Sequence, residues 1–166
     1  MDGQVSMPSN VSAKTPAPSP RRLPPLLRRA WYGLNQSFRQ RIAHLKITPD
    51  QFSILRWLSE GDPAGLTQRE LTDLMASDPN TITSTLARME RAGLISRAPH
   101  EKDRRAHRVR LRAKGLRTLG QGGKIALSLQ RRILTALPEI RRARFLEELA
   151  TIAEACVAAS EKAPGK

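Results

Sequence analysis

The fold is decided by residues 67–93, which read TQRELTDLMASDPNTITSTLARMERAG. Thr67 and Glu70 have the spacing of a capping box and predict the start of a short helix. Asp78 followed by proline predicts the start of the next helix. Gly93 ends that helix, because glycine readily adopts the left-handed conformation found after a helix C-terminus. Two capped helices joined by a tight turn predict a helix-turn-helix.

The second of these helices has two chemically different faces. Ile82, Leu86 and Met89 recur at three- and four-residue steps and predict a buried face. Any surface helix has a polar face, but this one is uncharged at its start and follows a tight turn. In a helix-turn-helix that end of the helix reads base edges in the major groove. We therefore predict DNA contacts here at Asn80, Thr81, Thr83, Ser84 and Arg88, and in the preceding helix at Thr67 and Gln68.

After the second helix the apolar period changes from 3.6 to 2. Leu94–Ala98 and His107–Arg112 alternate in polarity and predict a β-hairpin. The connection between them is polar and charged, and it predicts a projecting wing. A guanidinium there fits the minor groove, where negative potential is enhanced. Asp103 is expected to pair with an arginine of the wing and fix its tip. The predicted DNA contacts of the wing are Arg104, Arg105 and Arg108.

The overall charge also indicates a polyanionic partner. The chain has 29 lysines and arginines against 15 acidic residues, a net charge of +14. Nucleic acid and an anionic membrane surface both suit such a charge. The absence of a long apolar run and of a secretory signal in residues 1–22 argues against a membrane and for the cytoplasm. One cysteine cannot form an intramolecular disulfide, which fits a reducing compartment.

Apolar stripes lie near both ends of the chain and predict a homodimer. A single winged lobe leaves these stripes without a partner surface, whereas two chains related by a twofold axis bury them together. The twofold axis further predicts DNA half-sites about one helical turn apart. The predicted dimer residues are Leu27, Trp31, Leu34 and Phe38 at one end, and Phe145, Leu149 and Ile152 at the other.

The predicted fold is mainly α with a small β-hairpin, a winged helix-turn-helix flanked by N- and C-terminal dimerisation helices. Three glycines at positions 120–123 predict a kink, a frayed segment or a close helix–helix contact in the first C-terminal helix. The predicted segments are a disordered Pro/Ser-rich tail over 1–22, a dimerisation helix over 24–46, a DNA-binding lobe over 47–112, C-terminal helices over 113–159 and a flexible tail over 160–166.

Six segments together resemble the MarR (multiple-antibiotic-resistance regulator) family. They are ITPDQFSIL at 47–55, GLTQREL at 65–71, DPNTIT at 78–83, RMERAGLI at 88–95 followed by DRRA at 103–106, and VRLRAKG at 109–115. The resemblance spans residues 24–158. It implies a homodimer joined by its terminal helices, a pseudo-palindromic operator, and usually repression. It often implies relief by a small phenolic ligand bound between the dimer helices and the DNA-binding lobe.

The sequence departs from that family pattern at two positions. Ser84 stands where many members carry arginine, and Arg112 stands where threonine often precedes the long helix. The first departure changes the expected base contacts. The second removes a probable helix cap and adds a candidate phosphate contact.

Other chemistry finds little support in the sequence. Trp31, Arg39 and His44 are candidates for lining an effector pocket, although for Trp31 the favoured interpretation is packing in the dimer interface. The three histidines lack metal-ligand spacing, and no catalytic motif is present, so no metal, cofactor or enzyme activity is predicted. Cys156 lies on an apolar face and is expected to be a buried thiol.

Two further functions stay open at this point. A low-specificity architectural DNA-binding protein would suit the charge of the chain. A ligand- or protein-binding module whose winged helix no longer reads DNA would suit the fold.

Overall fold

The computed structural model describes residues 22–99 and 107–161, within two compact units, Met1–Leu34 and Asn35–Lys166. The observed order of elements confirms the mainly helical fold class with a small sheet. The elements are α1 (Leu23–Ile42), a short 3-10 helix (Ala43–Leu45), α2 (Pro49–Glu60), β1 (Leu66–Thr67), α3 (Gln68–Leu74), α4 (Pro79–Arg91), β2 (Ile95–Pro99), β3 (His107–Leu111), α5 (Ala113–Leu134) and α6 (Glu139–Glu161).

The predicted helix starts are confirmed by side-chain caps. The Glu70 amide donates to Thr67 Oγ1 at 3.2 Å, and the Thr67 amide donates to Glu70 Oε2 at 2.6 Å. The same reciprocal pair joins Thr48 to Gln51 at the start of α2. At the start of α4, Asp78 Oδ1 accepts from the Thr81 amide at 2.9 Å. Each cap satisfies backbone donors that a helix N-terminus leaves without intrahelical partners.

The sheet has three antiparallel strands in the order β1-β3-β2. Leu66 of β1 and Arg97 of β2 both pair with Val109, on opposite sides of β3. The sequence predicted the β2–β3 hairpin, with bounds within one residue, and missed β1. Two residues are too few to show an alternating pattern, so only pairing with β3 identifies this strand.

The core of the second unit lies between its helices and the sheet. Ile82, Leu86 and Met89 of α4 are 2%, 0% and 0% exposed, which confirms the predicted inward face. The Phe38 ring is also buried, with its centroid 4.9 Å from that of Phe52 in an edge-on contact. The prediction that Phe38 needs a partner surface is wrong, because α2 of the same chain covers it.

The glycine-rich segment of α5 is continuous helix. Gly122 is buried, and a Cβ atom at this position would lie 2.7 Å from the Phe52 ring. Of the three predicted outcomes, the close helix–helix contact is the one observed. Gly120 and Gly123 have nothing within 4 Å of a Cβ position. The absent side chain at Gly122 is therefore what lets α5 approach α2.

The last helix, α6, is exposed along nearly its whole length in the single chain. Phe145 is 40% exposed, and Leu149 and Ile152 are each 39% exposed. Cys156 is exposed as well. Its predicted burial is wrong for the single chain, because no other element of the described chain covers this face of α6.

Leu86→Ala is expected to lower the free energy of unfolding by about 2–5 kcal/mol, since it removes a fully buried side chain and leaves a cavity. Chemical denaturation followed by circular dichroism measures the change. Ser84→Ala, on the exposed face of the same helix, serves as the control and should change the free energy by less than about 0.5 kcal/mol. A loss of only a few tenths for Leu86→Ala would contradict the assigned core.

Candidate nucleic-acid interface

The N-terminal half of α4 presents a polar, uncharged surface. Asn80, Thr81, Thr83 and Ser84 are all exposed, on the side opposite the buried face. The side-chain amide of Asn80 has no hydrogen bond to any residue of the described ranges. Asp78 caps the helix, and its bonds to Thr81 lower the pKa of its carboxyl group. An amide and three hydroxyls at a helix N-terminus offer the donors and acceptors that base edges and phosphates require.

A side-chain hydrogen bond joins the two helices of the motif. Gln68 Nε2 at the start of α3 donates to Thr83 Oγ1 at 2.7 Å, and Thr83 Oγ1 donates to the Pro79 carbonyl at 2.7 Å. The structure thus brings two predicted contact residues together. Thr67 is placed differently, because its hydroxyl and amide are both engaged with Glu70 in the capping box.

The Arg88 side chain is exposed, and a hydrogen bond holds its guanidinium group. Its guanidinium donates to the hydroxyl of Thr85 at 3.1 Å, and Thr85 is only 4% exposed. A tethered guanidinium loses less conformational freedom on meeting a phosphate or a guanine than a free one does. The hydrogen bond keeps the Arg88 guanidinium close to the uncharged N-terminal half of α4.

An ion pair that the sequence analysis missed fixes α4 to the sheet. Glu90 Oε2 accepts from Arg97 Nε at 2.8 Å, and Glu90 Oε1 accepts from the Arg97 amide at 3.2 Å. The bonds from Arg97 lower the pKa of Glu90 below its usual range. The pair therefore supports the fold at neutral pH, and its contribution is lost as pH falls through that lowered pKa. Glu90 and Arg97 carry opposite charges on either side of the turn at Gly93. This spacing could have predicted the ion pair from the sequence.

The structure corrects the predicted DNA-facing position of Arg108. Its side chain is only 16% exposed, and its guanidinium donates to the Gly65 carbonyl at 2.8 Å, with Asp62 at 3.9 Å. Gly65 has φ +95°, and a Cβ there would lie 2.5 Å from the Val109 carbonyl oxygen. Arg108 thus holds the turn before β1 against β3, which positions the start of α3.

The junction between the sheet and α5 is also tight. Lys114 Nζ donates to the Ala92 carbonyl at 2.8 Å, at the C-terminus of α4. The Arg112 amide donates to the Leu94 carbonyl, and the Arg112 side chain makes no capping bond, as its departure from the family pattern predicted. Gly115 lies against the same Leu94 carbonyl. Helix α5 is therefore attached directly to the end of α4.

One of the predicted effector-lining residues lies in a cavity of the first unit. A shallow cavity in the first unit is lined by Trp31 and Tyr32 together with Pro25, Arg28 and Arg29. Arg39 and His44 are exposed residues of the second unit and are not among its lining. Of the three candidates, Trp31 therefore borders this cavity.

Several predictions fall on residues outside the described ranges. Arg104, Arg105 and Asp103 of the wing tip are in this group, as are the terminal tails. Among residues 22–99 and 107–161, no helix is long and apolar enough to cross a membrane. The same ranges hold no group of three or more potential metal ligands.

A helix-turn-helix with an exposed polar second helix, followed by a hairpin that closes a three-stranded sheet, defines a winged-helix DNA-binding protein. The family model described as the MarR family matches residues 47–107. The transcriptional regulator HosA of Escherichia coli is 28% identical over 127 residues, covering 74% of this chain and 93% of HosA.

Solved structures agree with this assignment. The transcriptional repressor CouR bound to a 23-mer DNA duplex is 30% identical, with TM-score 0.70, covering 77% of this chain and 89% of CouR. The fold also matches CouR from Rhodococcus jostii RHA1 bound to p-coumaroyl-CoA, at 21% identity and TM-score 0.68 over the same shares of the two chains. The chain belongs to the MarR family and is a DNA-binding transcriptional regulator.

Proposed function

We propose that this regulator is a ligand-responsive repressor that binds a pseudo-palindromic operator as a homodimer. The observation that carries the proposal is the exposed face of α4, where an amide and three hydroxyls precede the tethered Arg88. The second helix of such a motif enters the major groove with its N-terminal residues nearest the bases. CouR, the 30% identical relative, is a repressor bound to a DNA duplex.

The proposed contacts follow from side-chain chemistry. Asn80 pairs with an adenine edge through its amide, and Thr81 and Ser84 bind phosphates or base edges. Gln68 and Thr83 act as one bonded unit that sets the angle between α3 and α4. The proposed wing contacts are Arg104 and Arg105, which enter the minor groove.

The proposed dimer rests on apolar side chains exposed in the single chain. In α6 these are Phe145, Leu149 and Ile152, each about two-fifths exposed. In the first unit, Trp31 is 62% exposed and Leu34 is 48% exposed. Exposed apolar stripes of this kind mark protein–protein interfaces. The segments 24–46 and 113–159 are proposed as the dimerisation helices on either side of the lobe at 47–112.

The proposed effector is a small aromatic anion. The cavity in the first unit combines the aromatic rings of Trp31 and Tyr32 with the guanidinium groups of Arg28 and Arg29. Aromatic rings stack on an aromatic ligand, and arginine pairs with a carboxylate or phosphate. CouR binds p-coumaroyl-CoA, a ligand with both features. The proposal includes no cofactor and no enzyme activity, and it places the protein in the cytoplasm with the DNA.

The test is a titration against the DNA upstream of the protein's own coding region and against a shuffled duplex of equal composition. We expect a preference of about 10³ or more for the upstream duplex, with two chains bound per site. The expected salt dependence is steep, because phosphate contacts release counterions. Equal affinity for the two duplexes would favour the architectural alternative, which the net charge of +14 also suits.

A further inference from the structure

Five arginines surround the turn between α5 and α6, and we refer to them as the basic corner. Helix α5 ends at Leu134 and α6 begins at Glu139, so only four residues separate the two helices. Glu139 is also the one acidic residue between positions 130 and 144. The basic corner consists of Arg131, Arg132, Arg141, Arg142 and Arg144.

Most of these cations have no partner within the described chain. Arg144 pairs with Glu148 at 2.8 Å, but their side chains are 80% and 61% exposed, so the pair is weak. Arg142 Nε donates to a backbone carbonyl, that of Leu137, at 3.1 Å. For the other three arginines of the corner, which are exposed, no described residue provides a side-chain hydrogen bond or ion pair.

Helix stability does not explain the whole corner. Arg131 and Arg132 lie in the last turn of α5, where a positive charge interacts favourably with the helix dipole. Arg141 and Arg142 lie in the first turn of α6, where a positive charge is unfavourable. Cations in that position weaken the start of α6 unless an anion comes close to them. Glu139 in the same turn offsets only one of these positive charges, so the arrangement favours binding of an external anion.

The corner is far from the C-terminal end of α4. Helix α5 begins beside the C-terminus of α4, where Lys114 bonds to Ala92. Its 22 residues span about 33 Å at 1.5 Å per residue. No arginine side chain bridges such a distance to the end of α4. An anion bound at the corner is thus well separated from the C-terminal end of α4.

We propose that the basic corner binds the phosphate backbone of a second DNA duplex, so that the regulator bridges two DNA segments. All five cations are arginines, whose planar guanidinium pairs with phosphate through two hydrogen bonds. The winged lobe at 47–112 carries 11 basic and 9 acidic residues, so little of the net charge of +14 lies there. A regulator already bound to DNA is surrounded by further duplex, which is the polyanion most available to it.

The inference rests on the proposed function only in that α4 holds the first duplex. The test therefore measures binding of a short unrelated duplex to the full chain carrying Asn80→Ala and Arg88→Ala, which weaken the recognition face. The corner variant adds Arg131→Gln, Arg132→Gln and Arg141→Gln to that background. A matched control instead adds Lys46→Gln, Arg117→Gln and Lys124→Gln, three exposed cations elsewhere, for the same change in net charge.

The corner variant is expected to lose about tenfold or more in affinity at low salt, and its slope of log K against log salt should fall by about 2–3. The control should change far less. A bridging assay uses protein in which Asn80 and Arg88 are unchanged. Wild-type protein bound to an immobilised duplex should capture a second, labelled duplex. The corner changes should abolish that capture while leaving binding to the immobilised duplex intact.

Three results would overturn the inference. One is equal binding by the corner and control variants. Another is loss of the dimer by the corner variant in sedimentation, which would show that these arginines pair with carboxylates of the partner chain. A third is tighter corner-dependent binding to phosphatidylserine vesicles than to duplex, which would identify a lipid surface as the occupant. Failure of the proposed function has a separate signature, namely equal affinity of wild type for upstream and shuffled DNA.

Discussion

Asn80→Ala should lower affinity for the operator by about 1–3 kcal/mol, or roughly 5- to 150-fold, while affinity for unrelated duplex stays nearly constant. The reason is that the Asn80 amide is exposed at the start of α4 and forms no hydrogen bond within the described chain. It is therefore available to donate to and accept from a single base edge. Fluorescence anisotropy with both duplexes at one salt concentration measures the difference.

The control for this prediction is Gln121→Ala, which removes an exposed amide from α5 and should leave both affinities unchanged. A second control comes from the DNA itself. If Asn80 reads one base, changing that base pair in the operator should cost wild type about 1–3 kcal/mol and the variant little. An equal loss by Asn80→Ala on operator and unrelated duplex would show instead that the residue contacts only the backbone.

Gly115→Ala should lower the free energy of unfolding by about 3 kcal/mol or more, as overpacking at a rigid contact does. A Cβ atom on Gly115 would overlap the backbone carbonyl of Leu94, which accepts a hydrogen bond from the Arg112 amide. The two nearest atoms are the carbonyl oxygen and carbon of Leu94, which are backbone atoms and cannot move aside as the end of a flexible side chain can. Either α5 separates from the sheet, or the strand that follows α4 shifts.

Gly120→Ala in the same helix is the matched comparison, and it should raise the free energy of unfolding instead of lowering it. Gly120 is exposed with nothing within 4 Å of a Cβ position, so alanine should stabilise α5 by up to about 1 kcal/mol. Thermal denaturation of the two variants beside wild type measures both changes. If both variants were stabilised, the close approach of α5 to the sheet would be refuted.

Local features of this protein were readable from the sequence because their physics is local. A capping box needs only two residues three apart, so the start of α3 could be predicted from Thr67 and Glu70, and Thr48 and Gln51 have the same spacing at the start of α2. The buried face of α4 was predictable in the same way, because 3.6-residue periodicity puts all its members on one side. The ordered set of such signals also sufficed to identify the family.

Contacts between distant residues were decided only by the tertiary structure. Arg108 looks like an outward cation of a strand, but the Gly65 turn, 43 residues earlier, provides the carbonyl that it bonds. Phe38 fits the apolar stripe of a dimer helix, yet the ring of Phe52 covers it.

The sequence by itself determined where helices begin and which face of α4 is buried, since both depend on neighbours within a few residues. The tertiary structure decided strand β1, the Gln68–Thr83 bond and the fit of Gly115 against Leu94. Each of these joins residues that are close in space and not in a repeating sequence pattern. The free energy of such a contact depends on the distance between the two residues in the folded chain, and the types of the two residues do not specify that distance.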